Sequence, residues 1–183
     1  MKWTPEGYVK ALNFASDAHK GQLVPGTDRP YDTHLAKVGM EVIAALQTHP
    51  EADGELAVQC ALLHDSIEDT AVNYQSVESN FGEAVAKGVL ALTKDKTLSK
   101  LAQMQDSLRR ILEQPREVAM VKLADRITNL APPPAHWTRE KCIAYQLEAE
   151  LIWAELGHAS EVLAARLRQK IMDYPIPTER TSF

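Results

Sequence analysis

His64 and Asp65 stand side by side in Leu62-Leu63-His64-Asp65-Ser66-Ile67-Glu68-Asp69-Thr70, so two groups able to bind a metal or move a proton are followed within about one helical turn by two more. On a helix, with about 100° of rotation per residue, positions 64, 65, 68 and 69 project over a single arc of roughly 140°, while Ala61, Leu62 and Ile67 cover other sides. Imidazoles and carboxylates gathered on an otherwise apolar segment are costly to bury alone. They need a metal ion, partner charges or a water-filled cleft.

A His-Asp pair alone is commonplace as a capping or salt-bridging pair, and its weight depends on what the rest of the chain supplies. In Tyr31-Asp32-Thr33-His34-Leu35-Ala36-Lys37-Val38, Asp32 or Thr33 reads as an N-cap and His34 falls in the first helical turn. In Val121-Lys122-Leu123-Ala124-Asp125-Arg126-Ile127-Thr128-Asn129-Leu130, the residues Lys122, Asp125, Arg126 and Asn129 share an arc of about 100°. Met120, Val121, Leu123, Ala124 and Ile127 take the other directions, which leaves one polar stripe on a core helix.

The elements that must position these residues read as helices joined by short loops. Thr4-Pro5 is a cap with proline at the first helical position, opening a helix to about residue 20, and a polar loop with Gly and Pro covers 21–32. Helices are expected at 33–48, at 54–67 carrying the His-Asp pair, at 74–80 and 82–92, at 99–114, and at 116–130, where Pro132-Pro133-Pro134 must stop the chain. Two more, 139–156 and 160–173, are separated by Gly157, which reads as a C-cap. Two-residue alternation is not sustained anywhere, so the expected fold is an all-α compact bundle of roughly eight to ten helices, formed as a single domain over residues 1–183.

The formal net charge of -5 argues against a nucleic-acid polymer as the main partner, because a polyphosphate chain would be repelled on average. A small phosphorylated ligand is compatible with a locally positive pocket, for which Lys94, Lys96, Lys122, Arg126 and Lys141 are candidates; Lys94 and Lys96 read equally well as solvated charges. Cys60 and Cys142 show no ligand spacing and are expected to be reduced and buried. The amino terminus has no apolar signal core and no apolar run reaches the length of a membrane span, so a cytoplasmic protein with no membrane partner is expected. Self-association is left open.

His34, then His64-Asp65, then Asp125, each on a separate helix, resembles the HD-domain phosphohydrolases. A narrower resemblance lies in the flanks: Ala18-His19-Lys20-Gly21-Gln22, Tyr31 to His34, His64 to Thr70, Phe81-Gly82, Leu92-Thr93-Lys94-Asp95-Lys96-Thr97, and Lys122-Leu123-Ala124-Asp125-Arg126. Together, over about residues 8–172, these look like the hydrolase domain of the RelA/SpoT alarmone enzymes, and most of all like the stand-alone small alarmone hydrolases. At 183 residues the chain is expected to carry the hydrolase domain without an added synthetase. The resemblance implies an HD-domain fold and removal of the 3′-pyrophosphate of guanosine tetra- or pentaphosphate, usually with Mn²⁺.

It also implies His34, His64, Asp65 and Asp125 as ligands of one divalent metal. Two imidazoles and two carboxylates suit Mn²⁺ and tolerate Fe²⁺, Co²⁺ or Zn²⁺. Glu68 and Asp69, one turn after the pair, are placed to orient or deprotonate the attacking water, and the resemblance gives them that catalytic role. Arg126 reads either as a phosphate contact or as half of an internal salt bridge with Asp69 or Glu68. Asn129 reads as a substrate contact or a helix-packing amide, and Lys141 with Tyr145 resembles the family's phosphate- and ribose-contacting pair. His19 reads as structural, while His49, His136 and His158 read as surface residues without partners. Two other readings stand beside the pyrophosphohydrolase: a broader HD-type nucleotide phosphatase releasing inorganic phosphate, and a non-catalytic nucleotide-binding module.

One departure bears on the substrate. Where relatives carry a strongly basic run after the glutamine, this chain has Leu23-Val24-Pro25, and no cation occurs until Arg29. Either Arg29 folds back to fill that role or base recognition differs; a guanidinium stacked on a base contributes on the order of 0.5–2 kcal/mol, and without one base discrimination is expected to be weak. Guanine and adenine 3′-pyrophosphorylated nucleotides should be hydrolysed with kcat/KM values within roughly tenfold of each other, and Leu23→Arg should improve KM more than kcat. A guanine preference above roughly a thousandfold, measured by steady-state kinetics, would contradict this.

Overall fold

The computed structural model describes residues 3–177. Ten α-helices follow one another: α1 (Pro5–Ala18), α2 (Asp32–Leu46), α3 (Gly54–Leu63), the single turn α4 (Ser66–Asp69), α5 (Tyr74–Phe81), α6 (Glu83–Leu92), α7 (Lys100–Leu112), α8 (Arg116–Asn129), α9 (Arg139–Leu156) and α10 (Glu161–Met172). A 3-10 turn, Gly157–Ala159, joins the last two. Among the described residues the one extended pairing is an isolated bridge between Leu23 and Pro30. The all-α expectation holds, and among those residues no helix is long and apolar enough to cross a membrane.

Most starts are written in the sequence as side-chain caps. Thr4, Asp53, Asn73, Ser99, Thr138 and Ser160 each accept a hydrogen bond from a backbone N–H in the first turn of the helix they open, satisfying donors that the helix leaves free. The starting point of α2 differs from expectation. It follows Tyr31 with no side-chain cap, because the Asp32 carboxylate is turned away to accept from Ser16 Oγ at 2.9 Å. Gly157 occupies the cap position after α9 with φ -58°, so its left-handed freedom goes unused and the chain tightens into the 3-10 turn.

Helices α3 and α8 are buried almost all round, and they pack against each other with α1, α2 and α6 around α3, and α2, α9 and α10 around α8. Burial on nearly every side makes them the centre of the bundle, with the polar stripe of α8, Lys122, Asp125 and Arg126, enclosed along with its apolar residues. Close approach of α6 requires Gly88: a Cβ there would lie 2.7 Å from Cys60 Sγ and 3.0 Å from Val118 Cγ2. Cys60 and Cys142 are free and buried, as expected.

His49 departs from its reading as an unpartnered surface residue. Arg116 Nη2 lies 2.7 Å from its Nδ1, its Nε2 is 2.9 Å from Ser160 Oγ, and Ser160 in turn caps α10. The loop after α2 is thereby tied to the starts of α8 and α10.

The expected helix over 54–67 does not run through. α3 ends at Leu63, Asp65 adopts φ -99° and ψ -1°, and the chain restarts as α4. His64 Nδ1 bonds the Ala61 carbonyl at 2.8 Å, occupying an acceptor that the helix end leaves open. On a continuous helix adjacent side chains diverge by about 100°; the break lets His64 and Asp65 meet instead.

Candidate metal centre and substrate cleft

His34 Nε2 on α2 lies 3.3 Å from His64 Nε2 at the end of α3, and 3.4 Å from Asp125 Oδ1 on α8. His34, His64 and Asp125 each offer a ligand atom within 4.8 Å of the others. Asp65 joins from one side, its Oδ2 2.9 Å from His64 Nε2 and 3.7 Å from His34 Nε2. All four expected ligands are therefore brought together, three of them in a tight buried set.

The other ring nitrogens are already engaged. His64 Nδ1 donates to Ala61 O, and His34 Nδ1 is 3.4 Å from Thr128 Oγ1, whose own proton goes to Asp125 O. Both Nε2 lone pairs are thus presented toward one point beside two carboxylates. Such an arrangement is repulsive unless a cation lies between the groups, and nitrogen and oxygen donors of this kind fit a divalent transition metal.

Burial opposes charge on His64, but Asp65 and Asp125 outweigh it and hold the imidazole well above its usual range. Burial likewise opposes ionisation of Asp65, yet His64 and the Tyr31 hydroxyl bring its pKa down to about 2. Asp125 is held well below the usual carboxylate range, with Lys122, His34 and His64 overcoming its burial. Lys122 Nζ is 3.3 Å from Asp125 Oδ2, so this buried lysine of the polar stripe faces a ligand. Asn129 donates from Nδ2 to Asp125 Oδ1; its amide neither packs two helices nor stands free, but fixes the aspartate.

Glu68 and Asp69 lie on α4, beyond the break. Glu68 Oε2 accepts the Lys94 backbone N–H at 2.9 Å. Lys96 Nζ donates to the Glu68 carbonyl at 2.7 Å and lies 3.3 Å from Asp69 Oδ1. Asp69 is close enough for its charge to act on the Tyr31 hydroxyl, which also serves Asp65. The loop after α6 therefore brings Lys94 and Lys96 to the acid pair, Lys94 through its backbone.

Arg126 does not meet Glu68 or Asp69. Its guanidinium is buried, donates to Glu148 Oε2 at 2.9 Å, and lies 4.5 Å over the Tyr145 ring. Nε and Nη1 have no hydrogen-bond partner among the described residues. Arg126 thus seats Tyr145 and joins α8 to α9. Tyr145 meets Trp137 edge-on at 5.2 Å, and Lys141 Nζ sits 4.2 Å over the Trp137 ring.

Lys141, Tyr145 and Glu148 border a cleft of about 570 Å³ whose apolar wall is Met104, Leu147 and Leu151. A larger cleft, about 760 Å³ between α1 and α5, is lined by residues such as Asp17, Asn73 and Ser76. Neither cleft is lined by a member of the metal set; the smaller one is singled out by Lys141 and Tyr145. Sequence reasoning missed the contacts of Tyr31, Thr128 and Glu148, since each depends on which helix lies opposite.

Bundle and buried centre together define the class: the chain belongs to the HD domain family, whose model matches residues 11–163. It is 30% identical over 174 residues to the guanosine-3′,5′-bis(diphosphate) 3′-pyrophosphohydrolase MESH1 of Xenopus tropicalis, covering 92% of this chain and 94% of that one. The Mus musculus protein of the same name is 30% identical over 167 residues, with coverage of 88% and 90%. The fold matches a solved structure described as a metazoan ortholog of SpoT that hydrolyzes ppGpp, with a TM-score of 0.80, 24% identity, and coverage of 97% of this chain and 100% of that one.

HD domains bind a divalent metal, and an ion held at this centre would have to replace the proton on His64. In chelator-treated protein, Mn²⁺ affinity is expected to rise with pH, by up to about tenfold per unit below the raised His64 value, and then to level off. Stability follows by linkage. Protonated His64 contributes stability that is complete below its ordinary 6.5 and is lost as pH rises through the raised folded-state value. Asp65 contributes above its ordinary 3.8 and loses the contribution as pH falls toward about 2. The metal-free Tm should therefore be highest between about pH 4 and 6.5, and saturating Mn²⁺ should remove the alkaline decline. A metal-free Tm that stays flat from neutral to alkaline pH, followed by circular dichroism, would contradict this assignment.

Proposed function

We propose that this protein is a cytoplasmic, metal-dependent 3′-pyrophosphohydrolase of guanosine tetra- and pentaphosphate or a related alarmone nucleotide, with Mn²⁺ as its metal. The observation that carries the reading is the buried His34, His64 and Asp125 set, with Asp65 beside it and two further acids one turn on. It is supported by near full-length similarity to proteins named for that activity. Free, buried cysteines support the compartment.

When bound, the ion supplies Lewis-acid polarisation of a phosphate oxygen and lowers the pKa of water. The remaining work belongs to the chain. Glu68, oriented by the Lys94 amide, and Asp69 take the proton from water as its oxygen bonds to the phosphorus next to the ribose 3′-oxygen. The bond from that phosphorus to the 3′-oxygen breaks, the 3′-oxygen leaves protonated as a hydroxyl, and pyrophosphate is released. Lys96, exposed beside Asp69, and Lys141, at the edge of the cleft, neutralise phosphate charge; Tyr145 borders the ribose, Asn129 offers its amide oxygen, and Arg126 contributes by seating Tyr145.

A second reading is favoured by one observation. The loop between α1 and α2 is a small hairpin closed by the Leu23–Pro30 bridge and by Val24 N–H to Arg29 O at 2.9 Å. Near its base stands an exposed Leu23, where the resemblance implies a cation. A broader nucleotide phosphatase would release inorganic phosphate. A silent binding module has no use for the acid pair.

Purified protein with Mn²⁺ and a nucleotide panel is expected to yield pyrophosphate by mass, with inorganic phosphate as the sole product contradicting the first reading. Glu68→Gln and Asp69→Asn should each retain metal by elemental analysis and lose single-turnover rate by roughly 10²-fold or more. Loss of metal in either variant would recast that residue as a ligand.

A further inference from the structure

Asp65 is the less enclosed of the two ligand carboxylates, its side chain 20% exposed against 10% for Asp125, and it sits on the break between α3 and α4, where its side chain makes no cap hydrogen bond to the helix it opens. The group that holds it is a tyrosine. Tyr31 OH donates to Asp65 Oδ2 at 2.6 Å, the same oxygen that faces both histidines. The phenol stays a donor, because burial and then the charge of Asp65 keep it from ionising.

Tyr31 is itself held from the other side. Its ring is buried and stacks on His19 at 4.6 Å with an interplanar angle of 21°. His19 Nδ1 lies 2.7 Å from Gln22 Oε1, Gln22 N–H returns to His19 O, and Tyr31 N–H donates to Gln22 O. Gln22 and Tyr31 are the two ends of the hairpin that carries Leu23, Val24 and Arg29. The base of that hairpin and the direction of a metal ligand are therefore fixed by one set of contacts.

We propose that Tyr31 is a positioning residue of the metal centre, and that through its stack on His19 it makes ion binding answer to the position of the 22–31 hairpin. The inference rests on the metal reading given above. A carboxylate left to rotate must be ordered when the ion binds, whereas a carboxylate held by a buried hydroxyl is pre-set, and removal of such partners typically weakens metal binding by about 10- to 100-fold. Because linkage is reciprocal, a nucleotide that settles the hairpin tightens ion binding by the factor with which the ion tightens the nucleotide.

Two variants separate the parts of this proposal, read by Mn²⁺ calorimetry and by the visible spectrum of the Co²⁺ form. Tyr31→Phe keeps the ring and its stack and removes only the hydroxyl. It is expected to raise the Mn²⁺ Kd by about tenfold or more and to alter the Co²⁺ ligand-field bands, while metal-free helicity and Tm stay close to those of the unmodified protein. His19→Ala touches no ligand and leaves the hydroxyl in place; it is expected to weaken Mn²⁺ binding several-fold, and it keeps the test alive if Tyr31→Phe does not fold. Unmodified affinity and spectrum in Tyr31→Phe would overturn the positioning role. Unmodified affinity in His19→Ala would overturn the coupling to the hairpin. If the unmodified protein binds no Mn²⁺, the metal reading fails first and takes this inference with it.

Discussion

Two imidazole nitrogens 3.3 Å apart, both facing carboxylate oxygens inside the bundle, form an arrangement that a protein cannot bury without a positive charge at its centre. In the absence of an ion, a proton on His64 supplies that charge, and the carboxylates hold it there. Much of the architecture serves this constraint. Helix α8 is apolar on nearly every side, yet it admits Lys122 and Asp125 because they neutralise each other. Helix α3 stops one residue before the His-Asp pair, and the stop is what allows the two side chains to converge.

Enclosure falls off outward from that centre. His64 and Asp125 are anchored on the two innermost helices. His34 enters from the first turn of α2, where Thr128 and the neighbouring rings set its direction. The acid pair is held only by α4, a single turn, and by a loop whose Lys96 is exposed. The 22–31 hairpin lies furthest out. This gradient suits a hydrolase that keeps its centre enclosed while its outer groups stay accessible, and the exposed Lys96 beside Asp69 is the cation nearest the acid pair.

The helices and the ligand set were legible because both depend on local signals. Caps such as Thr4, Asp53 and Ser160 announce helix starts, a polar stripe on an otherwise apolar segment marks α8, and the HDxxED stretch carries its own chemistry. The break after Leu63 was not legible, since Ser66, Ile67 and Glu68 are all compatible with continuing a helix and the choice is made by a side chain folding back on Ala61 O. The partner of Arg126 was misassigned for a related reason. The reading offered the acid pair Glu68 and Asp69, whereas the packing of α9 on α8 brings Glu148 within 2.9 Å. His49 and Tyr31 show the same limit, their partners Ser160 and Asp65 lying far along the chain.

The account turns on one ion held by four named side chains. Crystals grown with Mn²⁺ and measured at the manganese absorption edge test this most directly. The account predicts a single strong anomalous peak between α2, α3 and α8, within about 2.0–2.3 Å of His34 Nε2, His64 Nε2 and carboxylate oxygens of Asp65 and Asp125. A peak confined to Glu68 and Asp69, or no peak at this centre under saturating Mn²⁺, would contradict it.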